Sequence, residues 1–190
     1  MILLETSQEA PHCVIPVHKP SLREYAFFFS SGILVSIPFT LFFANFYNLL
    51  PAALVIIILA PFIEELGKVF PLFYRHGETE RSYVILGLLI GLGFGISEFV
   101  LYVAIFDVPF YARIPGIIFH ASSASITAYG IAKKKPLLYY LIAVSLHVGN
   151  NFFAVTESFF SLFGQVLILI TVYLLAYRYY HAASKEKMVV

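Results

Sequence analysis

From Tyr25 to Ile63 the chain carries no Asp, Glu, Lys, Arg or His. Roughly 20 apolar residues suffice to cross a hydrocarbon core about 30 Å thick, so this run is too long for one crossing. Asn45, Tyr47, Asn48 and Pro51 punctuate it, which predicts spans near 25–46 and 50–74 joined by a tight turn. Further apolar runs predict spans near 82–106, 112–132, 136–156 and 158–179. Only 12% of the residues are charged against 60% apolar, with a mean hydropathy of +0.86, whereas a soluble domain carries about a quarter charged residues. That balance excludes an ordinary soluble domain, a disordered chain and a basic nucleic-acid binder; the net charge of +1 offers no stripe for a polyanion. The expected fold is all-α: a polytopic membrane protein with about six transmembrane helices.

Charge placement fixes an orientation. With the N-terminus in the cytoplasm, the inner side collects Lys19, Arg23, Arg75, Arg81, Lys133, Lys134, Lys135, Arg178, Lys185 and Lys187, leaving Arg113 outside and Lys68 within a span. This is the positive-inside bias, and it puts both termini in the cytoplasm. Tyr25, Tyr47, Tyr74, Tyr83, Tyr111, Tyr139, Tyr140 and Tyr177 near span ends fit interfacial aromatic belts. The expected organisation is a polar segment 1–24, a helical domain 25–180 and a short tail 181–190. The leading segment lacks the apolar core of a signal peptide, and Cys13, the single cysteine, has no partner for an internal disulfide. A multi-pass protein of the cell membrane is the expected setting.

Ionisable groups at bilayer depth cost about 2.5–3.5 kcal/mol each on insertion scales, so they face the bundle interior and mark function. Six stand here: Glu64, Glu65 and Lys68 on the second span, Glu98 on the third, His120 on the fourth and His147 on the fifth. Counting along the helices at 1.5 Å per residue places them within about 10 Å of one depth, open toward the outer half of the bilayer. Lys68 follows Glu64 by four residues and Glu65 by three, and adjacent carboxylates point about 100° apart. One glutamate is therefore expected on Lys68 and the other in the cavity as a general base, with which of the two left open.

On the third span Gly87, Gly91 and Gly95 recur every four residues, and Glu98 and Tyr102 continue the stripe. The glycines read as close helix packing, Glu98 as functional, and Tyr102 as a hydrogen-bond donor beside it. Ser123 and Thr127 share a face with His120 and read as structural hydroxyls. His147 and Asn151 stand four apart, as two donors to a single oxyanion would. The loop Asp107–Arg113 is a candidate lid.

In this order on consecutive helices, E-E-x-x-K at Glu64, Glu65 and Lys68, E-x-x-x-Y at Glu98 and Tyr102, His120, and H-x-x-x-N at His147 and Asn151 resemble the PrsW family of intramembrane proteases. That family belongs with the type II CAAX prenyl endopeptidases in one glutamic-protease-like superfamily, and the resemblance covers about 50–155. The chain departs from the CAAX side: Lys68 and Val69 replace its E-E-x-x-x-R, and Gly116 stands where its F-x-x-x-H has an aromatic. The resemblance implies hydrolysis of membrane-anchored proteins by a glutamate-activated water, on the extracytoplasmic side. Glu64 or Glu65, helped by His120, would be the base; His147 and Asn151 would hold the oxyanion, Glu98 would orient, and Lys68 would fix one carboxylate. No cofactor, metal or nucleic acid is called for; the partners are a membrane-anchored protein or peptide and the lipid bilayer. The rivals are a zinc protease using two histidines and a carboxylate, a proton-coupled carrier, and a non-catalytic scaffold for other spans.

Overall fold

Ser21 and Glu24 open the first helix by capping each other. The Ser21 N–H donates to Glu24 Oε2 at 2.7 Å, and the Glu24 N–H donates to Ser21 Oγ at 3.4 Å. Such an S-x-x-E box satisfies amides that a helix start leaves open. Helix α1 accordingly covers Leu22–Phe46 and takes in Leu22, Arg23 and Glu24, which the charge pattern assigned to the polar segment. The computed structural model describes residues 18–46, 49–74, 79–156 and 159–189, and all of Tyr74 and Phe159 but their side chains. The expectations for residues 1–17, including Cys13, and for Tyr47, Asn48, the Tyr74 side chain and Arg75 lie outside these.

The second predicted span is helical throughout but not regular. It runs through α-helical Ala52–Leu54, a π turn over Val55–Leu59, α-helix over Ala60–Val69 and 3-10 helix over Phe70–Tyr74; together these form α2. Pro61 follows the π turn, one residue beyond Ala60. It has no N–H, and its ring crowds the carbonyl one turn back, so the hydrogen-bond ladder is interrupted there.

Four helices follow: α3 (Glu80–Ala104), α4 (Phe110–Ala132), α5 (Pro136–Val155) and α6 (Phe159–Ala182). Among the described residues there is no strand, only an isolated bridge between Thr79 and Met188. Helices α1, α3, α5 and the Phe160–Ala182 part of α6 are long and apolar enough to cross a membrane. Helix α4 is as long but carries His120, Ser122, Ser123, Ser125 and Thr127, all buried. It lies centrally, against α2, α3, α5 and α6, so those polar groups meet protein on all sides.

Helix α3 packs tightly between α1 and α4. A Cβ on Gly91 would lie 2.1 Å from the His120 carbonyl oxygen, and one on Gly93 2.1 Å from that of Phe29. Gly87 and Gly95 also face α4, so the stripe packs as its spacing predicts. Two tyrosines depart from the interfacial reading. Tyr83 is 2% exposed, packed in the core with Phe28, Leu86 and Ile90; Tyr139 joins Tyr129 and Tyr179 in a ring cluster. Aromatic side chains near helix ends serve packing as readily as interfaces when a neighbouring helix covers them.

Lys134 adopts φ 57° between α4 and α5. The Lys135 N–H donates to Gly130 O at 2.8 Å and the Lys134 N–H to Ile131 O at 3.0 Å, a Schellman end before Pro136 opens α5. Beside it, the C-terminal residues fold back on the start of α3. The Glu80 N–H donates to Lys187 O, the Arg81 N–H to Ser184 O, and the Arg81 guanidinium to Ala183 O. The buried Glu80 carboxylate accepts from Lys133 Nζ at 2.6 Å and from the Ser184 N–H at 2.9 Å. The same contact holds the Lys133 ammonium above its ordinary pKa. Glu80→Ala removes the acceptor and leaves the tail unclasped. Trypsin is expected to cut at Lys185 and Lys187 roughly tenfold faster in that variant than in the wild type, read by mass spectrometry of the tail peptides. Equal rates would mean that the backbone contacts alone hold the tail.

Candidate functional site

Three helices meet around one buried cation. Lys68 is fully buried on α2, and its three donors reach Glu65 Oε1 at 2.5 Å, His120 Nδ1 at 3.0 Å and Ser123 Oγ at 3.4 Å. Its ammonium also lies 4.9 Å from the centre of the Phe94 ring, so every face of the charge is occupied. Of the two glutamates, Glu65 is the one that Lys68 holds. The same Oε1 accepts from Ser123 Oγ at 3.0 Å and from His147 Nδ1 at 2.9 Å.

The hydrogen bonds dictate the tautomers. Lys68 can only donate, so His120 Nδ1 accepts and its proton sits on Nε2, which donates to Glu98 Oε2 at 2.6 Å. Glu65 can only accept, so His147 Nδ1 carries a proton. In the neutral ring its Nε2 is then an acceptor, 3.8 Å from Glu64 Oε2. That Glu64 oxygen is buried and has no hydrogen-bond partner among the described residues.

Glu64 is therefore the glutamate that faces a cavity, of about 220 Å³. Glu98, Tyr102, His120, His147 and Asn151 line the same cavity, and Glu65 and Lys68 lie directly behind it. Helix α1, whose Arg23 and Glu24 lie in its first turn, adds Thr40 and Phe43 to the wall. Gly116 leaves open space where an aromatic would project.

Several details differ from the expectations. Arg113 is not in a loop: α4 begins at Phe110, and Arg113 stands two turns before His120 on one face. Its guanidinium reaches Glu98 Oε2 at 3.1 Å and stacks 3.9 Å from the Tyr102 ring centre, so Tyr102 meets a cation face-on. The seven-residue spacing was the readable signal. Ser123, read as a structural hydroxyl, is a partner of Glu65; Thr127 donates to the Ser123 carbonyl, as a structural hydroxyl does. Asn151 is not paired with His147: its Nδ2 donates to Ile56 O at 2.9 Å, and its Oδ1 accepts from Asn150 at 3.3 Å. Asn150, also in the cavity wall, was missed.

Glu64, His120 and His147 place one potential metal-ligating atom each within 4.8 Å of one another. The two histidines differ in readiness. His147 turns a free Nε2 toward Glu64, with Glu65 behind its other nitrogen, as metal-binding histidines are commonly backed. Both nitrogens of His120 are engaged, one by an ammonium, so ligation there requires displacing Lys68 or Glu98. No protein-family description, curated protein or solved structure matches this chain.

Proposed function

We propose that the chain is an intramembrane endopeptidase of the glutamic type, PrsW-like, that hydrolyses peptide bonds of membrane-anchored proteins. The observation that carries this reading is the Glu64 carboxylate: buried, with an unpartnered oxygen, 3.8 Å from an acceptor nitrogen of His147 in a polar cavity. That separation is too long for a direct hydrogen bond, and both residues line a cavity with room for the attacking water. In the reaction Glu64 takes a proton from this water as its oxygen attacks the scissile carbonyl. The tetrahedral oxyanion is met by the Arg113 guanidinium and the Asn150 amide, both in the cavity wall. Glu64 then returns the proton to the leaving nitrogen as the C–N bond breaks. Glu65 and Glu98 orient His147 and His120.

The setting proposed with it is six spans, with the composite α2 and the polar α4 crossing alongside the four apolar helices. Both termini are cytoplasmic, and the cavity opens to the outer half of the cell membrane. A zinc-dependent version rests on the Glu64, His120 and His147 cluster, a His2Glu set of the kind catalytic zinc uses. Purified protein incubated with single-span substrates, with and without chelator, separates these readings. Cleavage indifferent to chelator supports the metal-free enzyme, and loss with chelator restored by zinc supports the metal version. Intact substrates throughout, from well-folded protein, would remove the peptidase reading and favour a carrier or scaffold.

A further inference from the structure

The π turn of α2 has an unfilled position in its hydrogen-bond ladder. The Ala60 N–H donates to Val55 O, five residues back, which is the π register. The next donor in that register would be the N–H of residue 61, directed at Ile56 O. Residue 61 is proline and has none. Asn151 Nδ2, from α5, donates to Ile56 O at 2.9 Å instead.

We infer that Asn151 is a positioning residue: its amide replaces the missing Pro61 N–H and so fixes the rotation of the helix that carries Glu64. A π turn inserts one residue, and one residue is about 100° of helix. Everything after Leu59, including Glu64 and Glu65, is therefore turned by that amount relative to an uninterrupted helix. Ile56, Ala60 and Glu64, four apart, all face the cavity with Asn151, so the capped carbonyl and the carboxylate share one face. The role differs from oxyanion stabilisation, the expectation for this residue, because the amide acts on the enzyme's own backbone. The catalytic consequence rests on the proposed peptidase reading; the ladder repair does not.

Rescue tests it. Asn151→Leu keeps the side-chain volume and leaves Ile56 O without a donor. It is expected to lower the thermal unfolding midpoint by about 5 °C and hydrolysis by about 10²-fold, with the loss in kcat. Pro61→Ala supplies a backbone N–H at the site and is expected to change the wild type little. In the double variant Pro61→Ala/Asn151→Leu it should restore most of the midpoint and of kcat. Unequal effects of Pro61→Ala on the midpoint with and without Asn151 establish the ladder repair even if no substrate is ever cleaved. Equal effects would overturn it. A restored midpoint with kcat still lost would return Asn151 to the reacting carbonyl and overturn the positioning role.

Discussion

Glu64→Gln is expected to cut hydrolysis of a single-span substrate by on the order of 10²–10⁴-fold, the contribution of a positioned general base, with the unfolding midpoint nearly unchanged. The substitution keeps the side chain's shape and removes its capacity to take a proton. It costs little structure because the buried Glu64 Oε2 has no hydrogen bond to lose among the described residues. Glu65→Gln contrasts with it. Glu65 Oε1 accepts from Lys68, Ser123 and His147, so neutralising it unsettles three partners and strips a buried ammonium of its counter-charge. That variant is expected to lose stability and activity together, whereas Glu64→Gln loses activity alone. Cleavage by Glu64→Gln at a tenth or more of the wild-type rate would remove Glu64 as the base, and an inactive, stable Glu65→Gln would reverse the two assignments.

Ionisable groups on apolar helices have no stable place except against one another, so Glu64, Glu65, Lys68, Glu98, His120 and His147 were legible as one cluster before any geometry was known. The i, i+3 and i, i+4 spacings narrowed Lys68 to two partners, but both lie on its side of the helix. The choice of Glu65 depended on Ser123 and His147 arriving from α4 and α5, which is tertiary information. Arg113 was misplaced because charge marks a loop in hydropathy reasoning, while an arginine in a first helical turn also reaches inward when a carboxylate such as Glu98 waits there. The π turn was missed for a related reason. Pro61 drew no reading of its own: whether a helix kinks, ends or widens at proline depends on what satisfies the freed carbonyl, and Asn151 lies far along the chain. The apolar pattern gave the helix positions well, since α1 and α3 to α6 stand within a few residues of the predicted ranges.

Lys68→Met carries the largest expected loss of stability, about 3–5 kcal/mol, the usual cost of breaking a buried ion pair by removing one partner. Methionine matches the length of the aliphatic stem and packs against Phe94 where the ammonium now lies 4.9 Å from the ring centre. What it cannot supply is charge. Glu65, with no exposed side-chain surface, would keep Ser123 and His147 as donors but lose its one cation, and His120 Nδ1 would lose its donor as well. At about 2–4 °C per kcal/mol for a chain of this size, the midpoint should fall by roughly 6–20 °C in calorimetry or a thiol-free dye assay in detergent. The second arm is the double variant Glu65→Leu/Lys68→Met, which removes both charges and leaves an apolar pair of similar volume. Buried pairs replaced in this way are commonly neutral in stability or better, so the double variant should recover a clear part of the midpoint, less what the buried Ser123, His120 and His147 lose as partners. It should not recover hydrolysis, because His147 Nδ1 would no longer be held by Glu65 and its Nε2 would no longer be fixed toward Glu64. Recovery of both together would make the network a stability device with no part in orienting the histidine. Recovery of stability alone assigns the charge pair its cost in folding and its use in the chemistry.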